Sequence, residues 1–400
     1  MDNTKRNSKV PVLRFPEFDQ EWEDNILGAV SLNEDNKRRP VSKSERVAGE
    51  YPYYGANGIQ DYVNQFIYSG ERLLIGEDGS VLTEEGTPVL NWATGEFWVN
   101  NHAHVLSQKD GSSLKYLYYY LSTVRIPGLV TGISPKLTQD NLNSIRVLLP
   151  PSLNEQKKLA ECLSAIDELI YALDQKVDAL KARKKGLIQQ LFPQGDETTP
   201  RLRFPGYTGE WEEKKMSNVF TRITRRNSEN NQNVLTISAQ YGLISQLEFF
   251  KKSVASSDVT GYYLLKKGEF AYNKSSSQGR PFGAIKPLRL YDKGVVSTLY
   301  ICFKCNDPRE IDFWDQYFDA GLLDKELMPI AQEGARNHGL LNIPTNGFFG
   351  LSVLSPSIDE QRKIAACLSA LDDTIQAETD RLKALKAHKK GLMQQLFPNQ

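Results

Sequence analysis

No stretch of this sequence approaches the roughly 18 consecutive apolar residues that a membrane-spanning helix needs. The opening residues, MDNTKRNSKV, are polar and lack the apolar core of a secretory signal. Cysteine is scarce, four in 400 residues, which rules out a disulfide framework and suits a reducing, cytoplasmic setting. Four histidines leave little material for a metal cluster, and H-E-x-x-H is absent. Neither G-x-G-x-x-G nor G-x-x-x-x-G-K-[ST] occurs, so no dinucleotide or nucleoside-triphosphate cradle is expected. An amino-methyltransferase needs an Asn/Asp-Pro-Pro-aromatic run to hold the exocyclic amine. The nearest string, LPPS at 149–152, offers neither the amide nor the ring and reads as a helix-entry turn. Net charge is lacking too: 49 basic and 49 acidic residues cancel, so overall charge does not drive binding to a polyanion.

Two partial matches to metal chemistry fare no better. CFKC at 302–305 has C-x-x-C spacing, but strand residues three apart face opposite sides, so two buried structural thiols are expected. His102 and His104 in NNHAH have no evident carboxylate or cysteine partner and read as half-buried polar side chains at a strand end. No catalytic constellation and no metal site emerge.

What the chain does have is a duplication. KKGLIQQLFP at 184–193 recurs as KKGLMQQLFP at 389–398, the tail of a longer match of 151–194 to 356–399 with 26 of 44 positions identical. Upstream, LRFPEFDQEWE at 13–23 recurs as LRFPGYTGEWE at 202–212. The frame is repeated, while the inserts it holds, roughly 24–150 and 213–355, share little sequence. Residues 11–150 carry 12 basic and 18 acidic side chains, and 201–356 carry 20 and 16, so the first half needs local clusters to meet a polyanion.

The repeated helical part starts at SLNE (152–155) and SIDE (357–360), which have capping-box spacing. Leu159, Leu163, Ile166, Ile170, Leu173, Val177 and Leu180 then follow at alternating spacings of 4 and 3, a heptad seam. The second copy places Ile364, Leu368, Leu371, Ile375, Glu378, Leu382 and Leu385 at the same positions, and Pro193 and Pro398 stop the helices. Two seams in one chain most simply pair with each other, antiparallel, about an approximate twofold axis. The alternative is that each helix packs on its own insert.

Both inserts read as mixed α/β with short strands. YPYYGANGIQDYV (51–63) is a hairpin turning at Asn57-Gly58, ERLLIGEDGSVL (71–82) is strand, turn at Asp78-Gly79, strand, and SLKYLYYYLSTV (113–124) is a helix. In the second insert GEFAYNKSSSQGRPFGAIKPL (268–288) is a strand and a polar loop, GVVSTLYICFKC (294–305) a buried strand run, and FWDQYFDAGLL (313–323) a helix. Four loops carry side chains suited to DNA. They are NKRRP with Lys37, Arg38 and Arg39; TGISPKL with Lys136; NKSSSQGR with Lys274, Ser275, Ser276, Gln278 and Arg280; and GARNHG with Arg336, Asn337 and His338. Any one of them reads as ordinary solvated surface; their weight comes from occurring in both inserts.

This layout resembles the specificity subunits of Type I restriction–modification systems. The resemblance runs from LRFP at 13 to LFP at 398 and rests on L-R-F-P…E-W, the Y-G-x-N-G turn at 54–58, PPSLNEQKKLA and PSIDEQRKIAA, and the KKGL-QQLFP endings. Within the inserts NNHAHVL, KYLYYYL, NKSSSQG, GVVSTLYICFK and EGARNHGLLN carry it. It implies two α/β target recognition domains joined by two long antiparallel coiled-coil helices. The expected segments are a tail (1–10), the first recognition domain (11–150), a central helix (151–193), the second recognition domain (194–356) and a C-terminal helix (357–398). It implies reading of double-stranded DNA, with Tyr54, Asn57 and His102 added to the DNA-facing residues. It also implies two modification subunits and restriction subunits as partners; S-adenosylmethionine and ATP belong to those partners, and no cofactor or catalytic residue to this chain. A scaffold with duplicated heads for a non-DNA ligand shares the helical frame and is the rival reading.

Overall fold

The computed structural model describes residues 9–238, 242–250, 258–276, 279–333, 339 and 341–398. The chain divides into two compact units, residues 1–175 with 380–400 and residues 176–379. The division falls inside both long helices, Leu153–Leu191 and Ile358–Leu396, each of 39 residues and about 58 Å long at 1.5 Å per residue. Each unit therefore holds one insert, the first part of the helix that follows it, and the last part of the other helix. The helices are not bodies apart from the inserts, because their apolar faces complete the insert cores.

In the first unit, Trp22, Leu106, Tyr116, Leu117 and Tyr120 close one core with Leu159 and Leu163 of one helix and Leu396 and Phe397 of the other. Phe397 meets the rings of Tyr116 and Tyr120 edge-on at 5.8 and 5.7 Å. In the second unit, Trp211, Phe220, Phe303, Phe313 and Trp314 close a core with Ile364, Leu368, Leu191 and Phe192. Phe192 sits edge-on to Trp211 at 5.9 Å. The repeated QQLFP line is thus a pair of hydrophobic plugs, one per unit.

Between the helix segments of each unit the charges pair in opposite residue order. Asp167 accepts from Lys389 at 2.5 Å in the first unit, and Asp372 from Lys184 at 2.6 Å in the second. These four residues are repeat equivalents, so one ion pair is written twice. Glu378, the polar residue in the second seam, accepts from Lys176 at 2.6 Å. All thirteen apolar seam residues named above are buried or half-buried.

The frame motif LRFP…EW folds as a clasp on the helix start. Arg14 forks onto Glu155 at 2.7 and 2.8 Å, and Arg203 onto Glu360 at the same two distances. Both carboxylates are 1 % exposed. This corrects the capping-box reading: the glutamates turn to a distant arginine, not back to the helix N-terminus. Only the serine half of the cap is seen, with Ser357 Oγ accepting from the Glu360 N–H at 3.4 Å. The hydrogen bond to Glu raises the pKa of each arginine. Trp22 Nε1 also donates to Glu155, at 3.2 Å, whereas Trp211 Nε1 has no partner among the described residues.

Each insert opens and closes on a two-stranded ladder, Glu23–Ile26 with Arg146–Leu149 and Glu212–Lys215 with Ser352–Ser355. Inside, each has a four-stranded antiparallel sheet with one strand order. In the first it runs Ser31–Asn33, Ala103–Gln108, Arg72–Gly76, Leu90–Ala93, and in the second Phe220–Ile223, Ile301–Cys305, Phe270–Asn273, Ala284–Pro287. Inserts with little common sequence therefore have one sheet topology. The first adds a second four-stranded sheet around the hairpin Ala48–Gly55/Gly58–Val63, whose turn Gly58 makes with φ +99°.

Two expected strands differ. Residues 81–82 make no strand, and Arg72–Gly76 pairs with Leu90–Ala93 across a longer connection. The run 294–305 is two strands, Lys293–Val296 and Ile301–Cys305, parted by a turn at 297–300 and placed in different sheets. Cys302 and Cys305 do face opposite sides: they enter separate hydrophobic clusters, and burial pushes the Cys302 thiol up to about 12.

Candidate nucleic-acid interface

The basic loop 36–40 of the first insert divides its three cations. Lys37 is exposed, 3.1 Å from Glu34, and Arg39 is exposed with its carbonyl accepting from Trp98 Nε1 at 2.6 Å. Arg38 turns inward. It ion-pairs with Glu77 and, at 3.3 Å, with Asp35, and donates to the Ala103 carbonyl at 2.9 Å. Lys136, expected on a DNA-facing loop, reaches the same Glu77 at 2.9 Å.

The two carboxylates sit at the end of the four-stranded sheet beside a buried imidazole. His104 is 1 % exposed; its Nδ1 lies 2.6 Å from Asp35 and its Nε2 2.8 Å from the Leu137 carbonyl. Burial alone pushes the Asp35 and Glu77 carboxyls up. Hydrogen bonds and charge from His104, Arg38 and Lys136 outweigh it and hold both below their ordinary range. Asp35, Glu77 and His104 offer one ligand atom each within 4.8 Å of one another. Arg38 and Lys136 already occupy the carboxylates, so this trio is a self-neutralised structural cluster.

Tyr54 is corrected from reader to core: it is buried, edge-on to Phe97 at 5.6 Å. Asn57 is exposed on the hairpin turn, its amide 2.7 Å from Ser80 Oγ. His102 is exposed, with Nδ1 against Asp78.

In the second insert Arg280 is likewise held by its own domain. It donates to the Asp319 carbonyl at 2.9 Å and ion-pairs with the Asp319 carboxylate, which Lys286 also meets at 2.9 Å. Burial pushes Asp319 up, but Lys286 and Arg280 prevail and hold it low. Ser275 and Ser276 border Lys274; their N–H groups donate to Asn273 Oδ1 and the Gly339 carbonyl. Gln278, Arg336, Asn337 and His338 lie outside the described residues. Lys274 is different from Arg280: burial lowers its pKa, and it has no ion pair with any described residue.

Residues 20–182 match the family model described as the Type I restriction modification DNA specificity domain. Over that stretch the chain is similar to the specificity subunits of Type I restriction–modification systems. A protein of Haemophilus influenzae named as a Type I restriction enzyme specificity subunit is 41 % identical over 152 residues, 37 % of this chain and 38 % of that protein. The match thus spans well under half of that relative. The MjaVIII specificity subunit of Methanocaldococcus jannaschii is 24 % identical across 96 % of this chain and 93 % of its own. The crystal structure of a Type I restriction–modification S subunit from M. genitalium has the same fold: TM-score 0.67 at 16 % identity, covering 98 % of this chain and 100 % of that one. Among the described residues no helix is long and apolar enough to cross a membrane.

The cations free to meet an outside anion are those that the fold itself leaves unpaired. Among the described residues, Arg39 is one of those expected from sequence. Arg222 is another, on the strand Phe220–Ile223, exposed and with no side-chain hydrogen bond or ion pair to any described residue. The sequence reading misses it, although TRITRR at 221–226 puts three arginines within five residues.

Proposed function

We propose that this chain reads a bipartite, non-palindromic sequence in double-stranded DNA, one half through each insert. Its long helices form an antiparallel coiled coil that sets the gap between the halves and docks two modification subunits. The observation that carries the reading is the duplicated frame: one clasp, one hydrophobic plug and one interhelical ion pair, written twice around inserts of different sequence. A frame repeated that faithfully presents two readers in equivalent settings, and readers that differ recognise different half-sites. The chain itself is non-catalytic. Restriction subunits join the complex, S-adenosylmethionine and ATP are bound by the partner subunits, and the assembly works in the cytoplasm on adenine methylation and ATP-dependent cleavage.

Expressing the chain with its modification subunit in a host free of methylation and sequencing the methylome tests this. The expected result is methylated adenine in one motif with two unlike halves and a fixed gap. A palindromic motif, or none from an assembled complex, would overturn it. The rival reading, a scaffold for a non-DNA ligand, draws on the acidic first insert. It predicts a glycan or peptide ligand whose binding changes little with salt, whereas duplex binding through phosphates by the assembled complex weakens steeply as salt rises.

A further inference from the structure

The common sheet topology lets the two inserts be compared position by position. In the first, Leu73 lies opposite Leu106, which lies opposite Asn33. In the second, Phe270 lies opposite Phe303, which lies opposite Arg222. Counting four residues on from Leu73 and from Phe270 gives Glu77 and Lys274. The position just past the end of the equivalent strand, which bears the shared carboxylate of the first insert's ionic cluster, thus bears a lysine in the second, and Asn33 is replaced by Arg222.

The surroundings change in step. Glu77 is neutralised by Arg38 and Lys136. Arg222 and Lys274 line one small pocket with Tyr263, Thr298 and Thr345, and no carboxylate of the described residues lines it. Among the described residues, neither cation has an ion-pair partner or a side-chain hydrogen bond. Arg226, with its guanidinium 4.9 Å from the Tyr263 ring centroid, adds positive charge beside the pocket. Two cations with no partner among the described residues, together with the hydroxyls of Thr298 and Thr345, surround a concavity that matches an anion with several acceptor oxygens. A half-buried ammonium without a counter-ion is costly, and such a ligand offsets that cost.

We infer that the Arg222–Lys274 pocket of the second insert is a clamp for one or two backbone phosphates of the DNA, and that the first insert has no counterpart because its equivalent position is neutralised from within. This rests on the DNA-reading function proposed above and adds to it an asymmetry: the second domain anchors the backbone at a place where the first does not.

The test uses the full chain assembled with its modification subunits, and duplex DNA carrying the methylated motif. Equilibrium binding is measured between about 50 and 200 mM salt. The double variant Arg222→Gln/Lys274→Gln should reduce the slope of log K against log salt by about 0.9 for each phosphate that is no longer neutralised. It should weaken binding to every sequence alike and leave the methylated motif unchanged. Arg222→Lys/Lys274→Arg, which keeps both charges, should restore most of the slope, separating an effect of charge from one of misfolding. Lys136→Gln in the first insert should leave the slope as it is. A steep wild-type slope that the double variant retains would sink the clamp while leaving DNA reading intact. So would a slope that Lys136→Gln flattens as much. A wild-type complex whose duplex binding ignores salt would sink the DNA reading and the clamp together.

Discussion

Replacing Arg203 by alanine removes the only ion-pair partner that Glu360 has among the described residues. This carboxylate is 1 % exposed and held by two hydrogen bonds of 2.7 and 2.8 Å. Breaking a buried pair from one side costs about 3–5 kcal/mol, because an uncompensated charge stays behind. For a unit of some 200 residues each kcal/mol moves the midpoint by about 2–4 °C, so the second unit should melt about 6–20 °C lower. The equivalent Arg14→Ala should cost less, since Trp22 Nε1 still donates to Glu155 while Trp211 Nε1 contributes nothing to Glu360. Removing both charges with Arg203→Leu/Glu360→Leu should recover much of the stability, because no unpaired ion remains. Differential scanning calorimetry of the full chain reads all three. A decrease below about 1 kcal/mol for Arg203→Ala, the range of a surface pair, would refute the clasp as a structural element. Equal decreases for Arg14→Ala and Arg203→Ala would refute the part given to Trp22 at Glu155.

Three further outcomes follow from the same structure. Asp35 and Glu77 have folded-state pKa values below their unfolded ones, so their stabilisation is complete above the ordinary carboxylate range and is lost as pH falls through the lower folded values. Acid unfolding of the first unit below about pH 4 should accordingly be shallower in Asp35→Asn, measured by tryptophan fluorescence. Arg280→Ala should lower the stability of the second unit through the orphaned Asp319 and leave the methylated motif unchanged, as methylome sequencing would read. Adding one heptad to each long helix lengthens it by roughly 10 Å, about three base pairs. The gap in the motif should then widen with both half-sites kept, and an unchanged gap in an active complex would show that the helices do not set it.

The duplication and the long helices were legible because their signals are local: near-identical lines of text and a heptad seam that every turn repeats. The strand run 294–305 misled because apolar letters continue through a turn whose tip, Thr298 and Leu299, is exposed. Glu155 and Glu360 have capping-box spacing, but an arginine 141 and 157 residues away is the stronger partner. The site was harder for the same reason. Arg38 and Arg280 look like free loop cations, yet each has its carboxylate 39 residues further along the chain. Which cations stay free is decided by tertiary pairing, and Arg222 emerges only when the sheet brings it beside Lys274.

The central claim, that each insert reads its own half of a DNA sequence, meets its most direct test in a transplant. Residues 213–355 would be replaced by the second insert of another specificity subunit with a known methylated motif, keeping both clasps and both helices. The methylome of the chimaeric complex should show one half-site changed to the donor's and the other half unchanged. An active chimaera whose motif is unchanged, or altered in both halves, would contradict the account.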